Sequence, residues 1–165
     1  MSGDDSSVGA APHRVLIVDG DDATRRLLGR ALESFGCEAF EARDGPDLLG
    51  SVWDRALCAV IVDLSGLSAS CWRLLRSLSG PMAGRRPATI AISTDADALD
   101  HAWELGVDAV LLKPFPLQHL QAVIEGLVAR EGSPHRPTVP LRPSSVSAVQ
   151  HSPGTRCCGR SPIAS

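Results

Sequence analysis

Two short apolar runs, each ending in an aspartate, constrain most strongly what this chain can fold into. The runs are RVLIVD at residues 14–19 and LCAVIVD at residues 57–63. Such short and almost wholly apolar runs are typical of parallel strands buried on both faces. Because the carboxyl ends of parallel strands meet at one edge of a sheet, Asp19 and Asp63 are predicted to lie together there. A simpler alternative is that each aspartate only caps the helix that follows it.

Strand-like and helix-like segments alternate along most of the chain. Their short connections and the helical spacing of apolar residues predict an α/β fold, with a doubly wound parallel sheet of five strands and five helices on its two faces. The predicted strands lie near residues 14–19, 37–41, 57–63, 88–93 and 107–112, and the predicted helices near residues 22–35, 46–55, 69–78, 96–105 and 117–130.

The two ends of the chain differ in composition from this central part. Residues 1–12 are rich in Gly, Ser, Asp and Ala, and residues 132–165 are rich in Pro, Ser and Arg without an aromatic residue. Both ends are predicted to be disordered, which leaves one domain at residues 13–131. No helix-turn-helix pattern follows residue 131, and the four arginines of the tail are too few to indicate a nucleic-acid partner. No apolar run is long enough to span a membrane, so a cytoplasmic protein without membrane contact is expected.

Lysine usage singles out one further residue. Of the 16 basic residues, Lys113 is the single lysine, and it directly follows the fifth predicted strand. A flexible ammonium acts as a compact point charge, unlike the planar fork of arginine. Lys113 is therefore a candidate site residue at the same sheet edge as the two aspartates. The five cysteines show no zinc-binding spacing, and their odd number argues against a disulfide framework.

Four segments, in this order and spacing, resemble the receiver domain of bacterial two-component response regulators of the chemotaxis-regulator type. They are VLIVDGDDATRRLL, AVIVD, IAIST and GVDAVLLKPF, and the resemblance covers about residues 13–131. It implies a flavodoxin-like fold with strand order 2-1-3-4-5. It also implies that Asp63 accepts a phosphoryl group from a sensor histidine kinase or a phosphotransfer protein. Ser93 and Lys113 would then bind the phosphoryl oxygens.

Magnesium is the cofactor that the resemblance implies. Asp63 and Asp19 would hold Mg²⁺, and Asp21 and the backbone carbonyl of Ser65 are further candidate ligands. A dication can bridge an attacking carboxylate to the incoming phosphoryl oxygens, and Mg²⁺ prefers a few carboxylate oxygens together with several waters. The family has an acidic residue where this chain has Gly20. Two expectations follow: either the flexible glycine lets Asp21 reach the ion, or Asp21 only caps the following helix and Mg²⁺ binds weakly.

The leading hypothesis is a stand-alone receiver in a phosphorelay, which is not an enzyme. It would signal to a protein partner through the face formed by the fourth helix, the fifth strand and the last helix. The alternative is a degenerate receiver that acts as an interaction module independently of phosphorylation. Gly20 favours this alternative, as do Val110 in place of an aromatic residue, and Leu67 and Cys71 in place of a proline and a glycine. A flavodoxin-like enzyme or nucleotide binder is disfavoured because the chain has neither a G-x-G-x-x-G motif nor a P-loop.

Overall fold

Five parallel strands form the centre of the protein. The computed structural model describes residues 11–43, 48–53, 56–66, 68–79 and 86–131. The strands are β1 Arg14–Val18, β2 Glu38–Ala42, β3 Ala59–Asp63, β4 Ala88–Ser93 and β5 Ala109–Leu112. Their order in the sheet is β2-β1-β3-β4-β5, and each neighbouring pair is parallel. The predicted α/β class and strand order are confirmed.

Helices alternate with these strands along the chain. They are α1 Asp22–Ser34, α2 Leu48–Trp53, α3 Ala69–Ser79, α4 Ala96–Glu104 and α5 Leu117–Glu131. The residues immediately before and after α2 lie outside the described part of the chain, as do residues 1–10 and 132–165, where disorder was predicted. None of the described helices is long and apolar enough to span a membrane.

The sheet separates two apolar cores because its side chains alternate between the two faces. Leu16 and Val18 of β1 face one core, which α2, α3 and α4 cover, whereas Val15 and Ile17 face the other, which α1 and α5 cover. All four side chains are buried. A strand buried on both faces must be apolar at every position, which explains the unbroken apolar runs in the sequence.

Two of the strands begin two residues later than the sequence predicted. β3 begins at Ala59 and β5 at Ala109, instead of residues 57 and 107. Before β5, the N–H of Val107 donates to the carbonyl of Ala102 at 3.5 Å, so Val107 belongs to the end of α4. Backbone pairing with the neighbouring strand nonetheless starts just ahead of β3, because the N–H of Cys58 donates to the carbonyl of Arg14 in β1 at 2.8 Å.

Candidate functional site

The carboxyl ends of four neighbouring strands meet at one edge of the sheet. Asp19 follows β1, Asp63 ends β3, Ser93 ends β4 and Lys113 follows β5. The backbone N–H of Lys113 donates to the carbonyl of Ser93 at 2.8 Å, which fixes the end of β5 against β4. The structure therefore brings together Asp19, Asp63 and Lys113, which were predicted from the strand ends, and Ser93, which the resemblance implied. This is the edge where doubly wound sheets bind ligands.

Lys113 forms an ion pair with Asp63. Its ammonium donates to Oδ2 of Asp63, whose side chain is only 7% exposed. The other carboxylate oxygen, Oδ1, accepts the backbone N–H of Ser65 at 2.7 Å. Burial alone raises the pKa of Asp63, but the bonds from Lys113 and Ser65 outweigh it and hold that pKa below its ordinary value. Asp63 is therefore ionised at neutral pH.

Asp19 is a buried carboxylate with a free oxygen atom. Its Oδ1 accepts the N–H of Asp21 at 2.8 Å, whereas its buried Oδ2 has no hydrogen-bond partner among the described residues. Burial raises the pKa of Asp19 to about 6, and the nearby negative charge of Asp63 adds to this effect. A buried carboxylate oxygen without a partner costs free energy. This oxygen is therefore a suitable ligand atom for a cation.

Asp21 caps helix α1. Its Oδ1 accepts the N–H of Thr24 at 2.7 Å, and its own side chain is exposed. These bonds to the helix N-terminus lower its pKa. Of the two expectations for Asp21, the geometry matches the one in which this residue caps the helix.

Ser93 is completely buried and its hydroxyl faces the following loop. Oγ of Ser93 accepts the N–H of Asp95 at 3.0 Å. This leaves the hydroxyl proton available for an acceptor at the strand ends, since a serine hydroxyl both accepts and donates. Ser93 thus supplies a hydrogen-bond donor near the ion pair of Asp63 and Lys113.

The residues at this edge suit magnesium. Mg²⁺ takes one or two carboxylates and keeps several waters, so Asp19 and Asp63 are the side chains that would hold it, with the Ser65 carbonyl as the further ligand that the resemblance implies. The free Oδ2 of Asp19 is the observation that favours a cation here. Within the described ranges, no cluster of three or more His, Cys, Asp or Glu side chains is placed to hold a metal ion.

Sequence reasoning missed Arg25, which lies behind the site. Its side chain is 8% exposed, and its guanidinium binds the carbonyl of Asp19 at 2.8 Å and the carboxylates of Asp22 and Glu41. A signal was present in the sequence. Arg25 stands three residues before Leu28, on the buried stripe of α1, and a charged residue on a buried stripe must be paired.

Besides Gly20, two departures from the family pattern lie within the described residues. Val110 is half-buried in β5 and packs against the core under α3 and α4. Cys71 is buried in α3 as part of the same core. Leu67, the remaining departure, lies outside the described residues. Both described side chains therefore serve packing in this structure.

The fold and the site together define a class: a flavodoxin-like α/β domain with two carboxylates, a hydroxyl and an ammonium at the carboxyl edge of its sheet. The family model of the response regulator receiver domain matches residues 15–125. The chain belongs to this family.

Relatives and solved structures agree with this assignment. The response regulator MprA of Mycobacterium sp. (strain KMS) is 31% identical over 137 residues, which cover 78% of this chain and 56% of MprA. Ethylene receptor 3 of Oryza sativa subsp. japonica is 29% identical over 111 residues, 66% of this chain and 13% of the receptor. The crystal structure of a response regulator signal receiver domain from Bermanella marisrubri superposes with a TM-score of 0.65 at 27% identity, covering 72% of this chain and 99% of that domain. The chain thus spans about half the length of MprA and a small part of the plant receptor.

Proposed function

We propose that this receiver accepts a phosphoryl group on Asp63 from a histidine kinase or a phosphotransfer protein. The observation that carries the proposal is the ion pair between Asp63 and the single lysine of the chain. A carboxylate oxygen of Asp63 would form a bond to phosphorus while the bond from phosphorus to the donor's histidine nitrogen breaks. The electron pair of that bond would leave with the histidine. The lowered pKa of Asp63 supports this role, because only the ionised carboxylate is a nucleophile.

Lys113 and Ser93 are proposed to bind the product. The ammonium already contacts one oxygen of the acceptor, so it can neutralise charge that arrives on the phosphoryl oxygens. The hydroxyl of Ser93 is free to donate to one of these oxygens. A change in the direction of this hydroxyl would affect the N–H of Asp95, which it binds now. The start of α4 is therefore the first element expected to respond to phosphorylation.

Magnesium is the proposed cofactor. Asp19, Asp63 and the Ser65 carbonyl would hold the ion, which when bound supplies positive charge between the carboxylate and the phosphoryl oxygens. Asp21 remains a candidate ligand of the ion only if its carboxylate gives up the hydrogen bond that it accepts from the Thr24 N–H. Because Gly20 stands at the family's second acidic position, we expect a weaker affinity for Mg²⁺ than an aspartate there would give.

The partners and location of the protein are also proposals. We propose that the phosphorylated receiver signals by protein contact through the face of α4, β5 and α5, in the cytoplasm, without nucleic-acid or membrane contact. The phosphoacceptor role does not make the protein an enzyme. Stand-alone action in a phosphorelay stays a prediction, since the relatives extend beyond the matched region.

A degenerate receiver is the second candidate function. The observation in its favour is that Asp21 caps α1 instead of facing the site, so that Gly20 leaves the site with two carboxylates. Such a protein would bind its partner through the same face of α4, β5 and α5 without being phosphorylated. The two candidates differ in one property, namely whether Asp63 takes up phosphate when Mg²⁺ is present.

The test is the intact mass of the protein after incubation with phosphoramidate, whose phosphorus–nitrogen bond resembles that of phosphohistidine. We expect one phosphoryl adduct with Mg²⁺, and none with EDTA or in Asp63→Ala. Asp95→Asn is the matched control, because Asp95 is an exposed carboxylate that caps α4 near the same edge. This variant is expected to take up phosphate like the parent.

A Gly20→Asp variant distinguishes the two candidates. A Cβ at Gly20 meets no atom within 4 Å, and the glycine is not in the left-handed region, so the aspartate fits without strain. If only this variant forms the adduct, the parent is a degenerate receiver. If neither protein forms it while both remain folded, phosphorylation at Asp63 is excluded for this chain.

A further inference from the structure

Arg25 joins three elements behind the site. Its Nη1 donates to the carbonyl of Asp19 after β1, its Nη2 to Oδ1 of Asp22 in α1, and its Nε to Oε2 of Glu41 in β2. The distances are 2.8, 2.5 and 3.2 Å. The planar guanidinium is suited to several acceptors in one plane, and its burial makes these bonds costly to lose.

The third acceptor, Glu41, lies beside a glycine of α1. A Cβ at Gly29 would lie 2.9 Å from Oε1 of Glu41, too close for two unbonded atoms. A side chain at position 29 would therefore make the end of the Glu41 side chain shift from its present place beside Arg25. Gly29 is buried inside a helix, where glycine is otherwise unfavourable. Its presence agrees with a need for the contact between Glu41 and Arg25.

The bond to the carbonyl of Asp19 restrains the peptide between Asp19 and Gly20. On the other side of Asp19, its N–H donates to the carbonyl of Ala42 at 3.3 Å. Asp19 is thus held on both sides, by a strand neighbour and by Arg25. The next residue, Gly20, has no side chain and no neighbour within 4 Å of a would-be Cβ, so it supplies no restraint of its own.

We infer that Arg25 is a positioning residue that holds the Asp19–Gly20 peptide and thereby the carboxylate of Asp19, whose buried Oδ2 has no hydrogen-bond partner among the described residues. The inference rests on the proposed function insofar as this oxygen is a magnesium ligand. Arg25 takes the place of the restraint that a side chain at position 20 would give. Loss of the guanidinium would let this peptide rotate and would disturb the bond from the Asp21 N–H to Asp19.

The test compares two conservative variants, Arg25→Lys and Arg43→Lys. Both keep the charge, and Arg43 also binds Asp22, but its exposed side chain makes no bond to Asp19. The first readout is the exchange of the Asp21 amide with solvent, measured by NMR on the full chain without metal. We expect it to become about tenfold faster in Arg25→Lys, because the N–H loses a fixed acceptor, and to change less than about twofold in Arg43→Lys.

A Gly20→Ala substitution separates positioning from general stability. Alanine restricts the same peptide from within and meets no neighbouring atom. When it is combined with Arg25→Lys, Gly20→Ala should restore most of the lost protection of the Asp21 amide from exchange with solvent. No such return is expected if Arg25 only stabilises the fold. If Arg25→Lys does not fold, Glu41→Gln, which weakens one acceptor of the guanidinium, is expected to give the same effect at smaller size.

The second readout is the dissociation constant for Mg²⁺, which we expect to rise about tenfold in Arg25→Lys and not in Arg43→Lys. Equal exchange of the Asp21 amide in the two variants overturns the inference, whatever the metal result. A parent that binds no Mg²⁺ contradicts the proposed function instead, and the amide comparison still decides the role of Arg25. Faster exchange with an unchanged Mg²⁺ affinity also overturns the inference, because the peptide would then not position a ligand.

Discussion

Asp19 and Asp63 are neighbouring carboxylates whose pKa values move in opposite directions. Burial raises the pKa of Asp19 to about 6. Burial acts on Asp63 in the same way, but Lys113 and Ser65 lower its pKa by more. The bonds from Lys113 and Ser65 therefore keep Asp63 ionised, and Asp19 takes up a proton first as the pH falls. Since a metal ligand must be deprotonated, Mg²⁺ binding is expected to weaken below about pH 6.

The pKa of Asp19 makes a prediction for the stability of the metal-free protein. Its pKa is about 6 in the folded chain and near the ordinary 3.8 in the unfolded chain. Below both pKa values Asp19 is protonated in the folded and the unfolded chain, so its burial does not affect stability. As the pH rises from the unfolded to the folded pKa, the unfolded chain loses the proton more easily, and folding becomes less favourable. We therefore expect Asp19→Asn to raise the free energy of unfolding near neutral pH, by on the order of 1–2 kcal/mol. The gain should shrink towards pH 4, as measured by urea unfolding in EDTA.

Asp63→Asn is the control for this prediction, because it is expected to change the free energy of unfolding in the opposite direction. Because the pKa of Asp63 is lowered in the folded chain, its carboxylate stabilises the fold at pH values above the pKa of the unfolded chain. This stabilisation is lost as the pH falls through the folded pKa. Near neutral pH, Asp63→Asn is thus expected to lower the free energy of unfolding. An Asp19→Asn variant that is no more stable than the parent at neutral pH would show that the buried carboxylate is compensated in a way the contacts do not reveal.

Helices α1 and α4 end in the same way. In each, a glycine with positive φ follows the last turn, Gly36 at 79° and Gly106 at 92°. After α1 the N–H of Gly36 donates to the carbonyl of Glu33 and the N–H of Cys37 to that of Leu32, both at 3.0 Å. This pattern satisfies two carbonyls at the helix end and turns the chain into the next strand.

This conformation predicts the effect of Gly36→Ala. A Cβ at position 36 would meet no atom within 4 Å, so the cost is that of the left-handed backbone alone, about 1 kcal/mol of unfolding free energy. Gly20→Ala is the matched control: it also meets open space, but its φ is not positive, so no loss is expected. The measurement is the urea midpoint of the two variants. Equal losses in both would mean that the backbone conformation at position 36 is not what matters.

For single helices and strands, the sequence predicted where each element lies better than the residue at which it begins. Helix α1 was predicted near residues 22–35 and is found at Asp22–Ser34, because its position depends on the local spacing of apolar residues. The start of β5 was predicted two residues early because apolar Val107 resembles a strand residue, whereas its N–H completes the end of α4. Such a hydrogen bond depends on the path of the chain, which the hydrophobic pattern does not contain.

For the whole molecule, the fold and the strand-end residues of the site were predictable from sequence for one physical reason. Strands covered on both faces must be apolar throughout, so the polar residue that ends each strand stands out in the sequence. Arg25 was not predicted because its three acceptors come from residues up to 16 positions away. Nor could sequence show that Asp21 turns to α1, since both possible positions are compatible with a flexible Gly20.

The shared sheet also predicts how the whole molecule unfolds. Leu120 and Leu74 are fully buried in the two different cores, and replacing either with alanine should cost about 2–5 kcal/mol of unfolding free energy. Trp72 and Trp103 pack against the core that contains Leu74. In a Trp53→Phe background their fluorescence therefore monitors that core, whereas circular dichroism monitors the helices of both.

Because neighbouring residues of one strand face opposite cores, loss of either core should disrupt the sheet and hence the other core. The urea midpoint from fluorescence is thus expected to fall in Leu120→Ala as far as the midpoint from circular dichroism, although the substitution lies across the sheet from both tryptophans. Leu74→Ala, on the same side as the tryptophans, should show the same agreement between the two signals. A fluorescence midpoint that stays at the parent value in Leu120→Ala would show that the two cores unfold separately.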